Sequence, residues 1–153
     1  MSDTPAARAQ KIIDDAATRP LRDAAYLLFR QQDWFNRLEQ EDEGPYRDEA
    51  ALQAARARSI ARAKVLLDRA NTHNGPTFAR LKQAHPTCGD DELKAAIKTA
   101  VKFDDDCFAN YPHERGDEWD KAVRAVARAA RRNPGYLEAT LHDAANRVAY
   151  YIK

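Results

Sequence analysis

The chain has 153 residues, a length that suits one domain. It carries 25 basic and 24 acidic side chains, a formal net charge of +1, with only five glycines, seven prolines and two cysteines. This composition excludes a collagen-like chain, a disulfide-stapled mini-protein and a long disordered tail. We therefore expect a single helical domain over residues 1–153, in which residues 1–18 are prone to fraying.

Helix-favouring residues dominate the chain, and no stretch alternates polar and apolar residues as a strand does. Proline and glycine divide it into segments, and such a break is where a helix ends. The predicted helices cover about 5–17, 20–42, 46–73, 77–85, 90–111, 117–132 and 135–152. The sequence thus predicts an all-α, single-domain bundle of five to six main helices.

Apolar residues recur at helical spacing in the longer segments, and this spacing predicts which helix faces form the core. Segment 20–42 has apolar residues on two neighbouring faces, so we expect it to lie centrally. The predicted core positions of the last two helices are Trp119, Ala122, Val123, Val126 and Ala130, then Leu137, Leu141, Ala144, Val148 and Ile152.

Two charged residues interrupt these apolar faces. Asp104 lies on the same side of its helix as Ile97, Ala100 and Phe108, and Arg56 lies on the predicted inner side of another helix. A lone buried charge costs several kcal/mol, so each needs a partner. We expect Arg56 and Asp104 to pair in the interior or to line a polar pocket there.

Charge is segregated along the chain in spite of the near-zero total. Residues 90–120 hold ten acids and four bases, residues 121–153 seven bases and two acids, and residues 53–82 seven bases and one acid. The predicted basic faces consist of Lys121, Arg124, Arg128, Arg131 and Arg132 on one helix, and Arg58, Arg62 and Arg69 on another. Such rows either stay solvated, pair within the molecule, or bind an acidic protein surface or a phosphate backbone.

The chain contains no glycine-rich phosphate loop and none of the common hydrolase or metalloprotease motifs, so no nucleotide cofactor is expected. His85 and Cys88 form one pair of soft metal ligands, and Cys107 and His113 form another. A helix of about twenty residues between the two pairs would hold them about 30 Å apart. We therefore expect neither a metal site nor another cofactor.

Arg80 and His85 are separated by four residues. This spacing resembles the Arg-x4–6-His signature of the HEPN group of small helical ribonucleases and nucleotide-binding domains. The resemblance implies that Arg80 would hold a phosphate and His85 would move a proton. It covers six residues, and the chain departs from the pattern because Pro86 follows His85 and Leu81 follows Arg80.

The first residues lack the apolar run of a secretory signal, and no stretch reaches the roughly 18 apolar residues of a spanning helix. We therefore expect a soluble cytoplasmic protein with reduced cysteines and no membrane contact. The sequence favours a non-catalytic interaction or regulatory module that recognises an acidic or phosphate-bearing partner through its basic faces. A protein is the expected partner; nucleic-acid binding without catalysis and a HEPN-like ribonuclease are the alternatives.

Overall fold

The structure is a computed structural model, and it describes residues 4–43, 47–67 and 75–152. Within these ranges the chain forms eight α-helices and no strand, which confirms the all-α class but exceeds the predicted five to six main helices. The helices are α1 (Pro5–Ala17), α2 (Leu21–Arg30), α3 (Gln32–Glu43), α4 (Glu49–Leu67), α5 (Pro76–Ala84), α6 (Asp90–Ala109), α7 (Glu118–Arg132) and α8 (Glu138–Ile152).

The extra helix arises because the predicted helix 20–42 divides at Gln31. The backbone there has φ −92° and ψ 7°, and its N–H closes α2 on the carbonyl of Leu27 at 3.2 Å. No proline or glycine marks this break, so the sequence carries no signal for it. The predicted helix 46–73 is described as far as Leu67, and residues 68–74 lie outside the described ranges.

Helix α2 lies at the centre of the bundle, as its two apolar faces predict. Every residue from Asp23 to Phe29 is buried, and α2 packs against α1, α3, α5, α6 and α8. Helix α1 belongs to the same core because it buries Ile13 and Ala16. The Thr4 hydroxyl caps α1 by accepting a hydrogen bond from the Ala7 N–H at 3.1 Å.

Helix α4 lies at the edge of the bundle and packs chiefly on α3. It buries Ala55, whereas Ile60 is 69% exposed and Arg56 is also exposed. Arg56 is therefore not an inner residue, and that part of the prediction is wrong. The predicted inner face also includes four residues whose side chains lie outside the described residues, Ser59, Ala63, Leu66 and Leu67. A regular apolar spacing indicates a core face only where a neighbouring helix covers it, and the described contacts of α4 are chiefly with α3.

The start of α8 is capped by a side chain from another helix. Asp23 of α2 is buried, and its Oδ1 accepts hydrogen bonds from the Leu137 N–H at 2.9 Å and from the Thr140 hydroxyl at 2.6 Å. A capping carboxylate satisfies backbone donors that a helix start leaves unpaired. Asp23 therefore joins the first turn of α8 to the central helix.

Replacing Asp23 with Ala should destabilise the protein by about 2–3 kcal/mol, because it removes a cap and leaves two donors without their acceptor. Urea unfolding would measure this loss. The matched control is Asp117→Ala. Asp117 is the exposed local cap of α7, and its carboxylate accepts a hydrogen bond from the Asp120 N–H at 2.9 Å. Its loss should lower the free energy of unfolding by about 1 kcal/mol. If the two variants lost equal unfolding free energy, the bonds from Asp23 to α8 would stabilise the protein no more than a local helix cap does.

Candidate functional site

The buried acid of α6 pairs with a different arginine from the predicted one. Asp104 is fully buried, and its carboxylate accepts hydrogen bonds from Nε and Nη2 of Arg147 on α8 at 2.8 and 3.3 Å. The hydroxyl of Tyr26 lies 3.5 Å from the same carboxylate. Because Arg56 is exposed on α4, the predicted Arg56–Asp104 pair is wrong.

Arg147 lies among aromatic rings as well as beside a carboxylate. Its guanidinium carbon is 5.0 Å from the ring centre of Tyr151 and 5.8 Å from those of Phe29 and Phe108. Burial disfavours the charged form, but the hydrogen bonds and negative charge of Asp104 outweigh burial and raise the pKa of Arg147. These contacts fix α8 against α6, which is a structural role.

The cysteine and histidine pairs do not come together as a metal centre. Helix α6 is unbroken from Asp90 to Ala109, Cys107 is fully buried near its end, and His113 is exposed. Burial raises the pKa of the Cys107 thiol, so this side chain behaves as a small core residue. Among the described residues, no group of three His, Cys, Asp or Glu side chains could hold a metal ion.

Arg80 and His85 contact different parts of the bundle. The guanidinium carbon of Arg80 lies 3.9 Å from the ring centre of Phe35 on α3. His85 follows the last residue of α5, and its Nε2 lies 3.1 Å from the Ala16 carbonyl at the end of α1. Each side chain thus has a packing or capping role of its own, and the geometry gives the ribonuclease hypothesis no support.

The basic face of α7 divides into a paired half and an unpaired half. Arg124 binds Glu114 at 2.8 Å and Asp120 at 3.2 Å, and the hydrogen bond that it donates to Glu114 is the main cause of its raised pKa. Lys121 donates to the Glu114 carbonyl at 2.8 Å and lies 5.3 Å from the ring centre of Tyr111. The loop between α6 and α7 therefore occupies this half of the face.

The C-terminal half of the same face is open. Arg128, Arg131 and Arg132 are exposed and, with Asn110, line a shallow pocket of about 290 Å³. No carboxylate in the described part of the chain lies within ion-pair distance of these three arginines. Arg131 and Arg132 also stabilise the negative end of the α7 dipole, but Arg128 lies a turn earlier, so the dipole does not account for the whole cluster.

The second predicted basic face, on α4, is only partly described. Arg58 is exposed on this helix. The side chain of Arg62 and the whole of Arg69 lie outside the described residues. This face therefore stays a prediction.

A second concave surface lies between α7 and α8, where the sequence predicted core. Trp119 and Val123 are 40% and 41% exposed, so their assignment to the core is wrong. The Trp119 ring meets the His142 ring edge to face, with centres 5.6 Å apart. Trp119 is the second residue of α7, and the buried residues of this helix, Val126 among them, begin only at Ala122.

Compared with known proteins, the chain matches no protein-family model, and no curated protein or solved structure is significantly similar to it. None of the described helices combines the length and the apolar character needed to cross a bilayer.

Proposed function

We propose that this protein is a non-catalytic interaction module that binds an acidic segment of a partner protein. The observation that carries the proposal is the cluster of Arg128, Arg131 and Arg132, three exposed arginines around one pocket with no carboxylate partner in the described chain. Guanidinium groups bind carboxylates through paired hydrogen bonds, so a clustered set favours an acidic ligand. Asn110 adds a side-chain amide to the same pocket.

The size of the cluster favours a short acidic segment over a nucleic-acid backbone. Carboxylates lie at both ends of it: Glu114 binds Arg124 one turn before Arg128, and Asp106 accepts a hydrogen bond from Asn133 at 2.8 Å just after Arg132. A phosphate backbone needs a longer uninterrupted basic track, and the pairing of these two acids limits the open track to three arginines. A compact group of carboxylates fits between them.

The test is the binding of a labelled hexaglutamate peptide, followed by fluorescence anisotropy. Replacing Arg128, Arg131 and Arg132 together with Gln should weaken binding by about tenfold or more, because the variant removes the charges that attract the peptide. The control replaces the exposed Arg37, Arg47 and Arg56 with Gln, which gives the same change in net charge away from the pocket. This control should bind as the unmodified protein does.

Two results would contradict the proposal. Equal weakening in both triple variants would mean that overall charge, not the pocket, attracts the peptide. Tighter binding of a short DNA duplex, with log affinity falling by about three per log unit of salt, would mean that the three arginines neutralise phosphates instead.

A further inference from the structure

We infer that the groove between α7 and α8 is a docking site for an amphipathic helix of a partner protein that carries basic residues beside its apolar stripe. The groove has a volume of about 250 Å³, and its lining is mostly apolar. Its lining residues are Trp119, Val123, Val126, Ala127, Glu138, Leu141, His142 and Ala145. This inference does not depend on the arginine pocket or on the function proposed for it.

The shape of the apolar surface fits a helix. Trp119, Val123 and Ala127 are spaced four residues apart along α7, so they form a line about 12 Å long on one side of it. Buried Val126 and Ala145 form the floor, and Leu141 contributes from α8. A line of this length matches about two turns of a docked helix, whose residues at positions i, i+4 and i+7 would enter the groove.

Trp119 provides the largest exposed apolar surface at this site. Tryptophan is among the residues that contribute most to protein–protein affinity when a partner covers them. A packing role within the chain does not account for an indole that is 40% exposed beside the 41% exposed Val123. The groove is therefore better explained as a surface that a partner buries.

The charge at the groove indicates which residues lie beside the apolar stripe of the partner helix. Glu138 lines the groove, Glu118 precedes Trp119, and both carboxylates are exposed with no ion-pair partner in the described residues. No lysine or arginine is among the lining residues. A helix with lysines or arginines beside its apolar stripe would neutralise these acids, whereas an acidic helix would be repelled.

The experiment uses two synthetic helices of about 14 residues with the same leucine stripe, one flanked by lysines and one by glutamates. The full chain carries Trp34→Phe, so Trp119 is its only tryptophan. We expect the leucine–lysine helix to bind saturably and shift Trp119 emission to shorter wavelength, and the leucine–glutamate helix to bind at least about tenfold more weakly. Val123→Ser should lower the affinity for the leucine–lysine helix by a similar factor.

The decisive variant is Glu138→Lys, compared with Asp91→Lys. Both positions are exposed acids in the first turn of a helix, so both changes have the same effect on net charge and a similar effect on the helix dipole. Glu138→Lys should weaken binding of the leucine–lysine helix about tenfold, and Asp91→Lys should leave it unchanged. Far-UV circular dichroism would show that each variant keeps its helices.

Five outcomes would overturn the inference. The first four are no saturable shift of Trp119 emission, equal binding of the two helices, equal weakening by Glu138→Lys and Asp91→Lys, and a shift that appears with protein concentration alone together with a dimer mass. The fourth outcome would assign the groove to a second copy of the chain. Retained binding in the triple Arg128, Arg131 and Arg132 variant would show that groove and arginine pocket work separately, and loss there would also overturn the inference.

Discussion

Replacing Arg147 with Met is expected to destabilise the protein by about 3–5 kcal/mol. The change removes the guanidinium that neutralises the fully buried carboxylate of Asp104, at 2.8 Å, and retains an unbranched side chain of similar length. A buried charge that loses its partner costs more free energy than the intact pair contributes. Chemical denaturation followed by circular dichroism would measure the loss.

Two further variants make this prediction specific. Lys82→Met breaks the exposed Lys82–Asp90 pair, whose atoms are 2.7 Å apart, and should destabilise the protein far less, because water and salt screen an exposed pair. The double variant Asp104→Leu with Arg147→Met removes both charges, so it should be more stable than Arg147→Met alone. If Arg147→Met cost no more than Lys82→Met, the buried pair would not stabilise α8 as the structure indicates.

Truncating Phe103 to Ala should cost about 3–5 kcal/mol of unfolding free energy. Phe103 is fully buried in α6, stacks on Tyr136 with ring centres 4.4 Å apart, and meets Tyr26 edge to face at 5.2 Å. The variant leaves a cavity between two tyrosines that the surrounding helices cannot fill completely. Thermal and urea unfolding would give the loss, and near-UV circular dichroism would report the altered packing of the tyrosines.

Phe78→Ala is the matched control, because Phe78 is only half-buried on α5, with Lys82 and Lys94 each 5.9 Å from its ring centre. Phe78→Ala should lower the free energy of unfolding by less than Phe103→Ala does. Phe103→Leu should also lower it by less, because leucine restores most of the lost side-chain volume. A loss for Phe103→Ala equal to that for Phe78→Ala would mean that the aromatic cluster is not a central part of the core.

The sequence was sufficient to predict the helical class and the central place of α2, because both follow from residue type and apolar spacing within one segment. The same reasoning placed Asp104 in the interior. It did not find Arg147, which lies 43 residues away on α8, since the partner of a buried acid depends on how helices pack. The end of α2 at Gln31 was missed because no helix-breaking residue stands there.

The candidate binding sites show the same division between local pattern and packing. Helical spacing alone places Arg124, Arg128 and Arg131 in one basic row, and Arg128 and Arg131 line the same pocket. Which of them are neutralised depends on the path of the loop that brings Glu114 to Arg124. Likewise, the spacing of Trp119 marks it as apolar, but only the extent of its neighbours determines that it is exposed.

The enclosure of α2 has a consequence for the way the chain is made. Its neighbours include α1 from the start of the sequence and α8 from the end, and Asp23 bonds Thr140, 117 positions later. During translation, the early helices can form as they emerge, but the surface of α2 that α8 covers stays exposed to water until α8 has left the ribosome. Nascent chains halted before Thr140 should therefore remain protease-sensitive, and the native core should close only once α8 has been made.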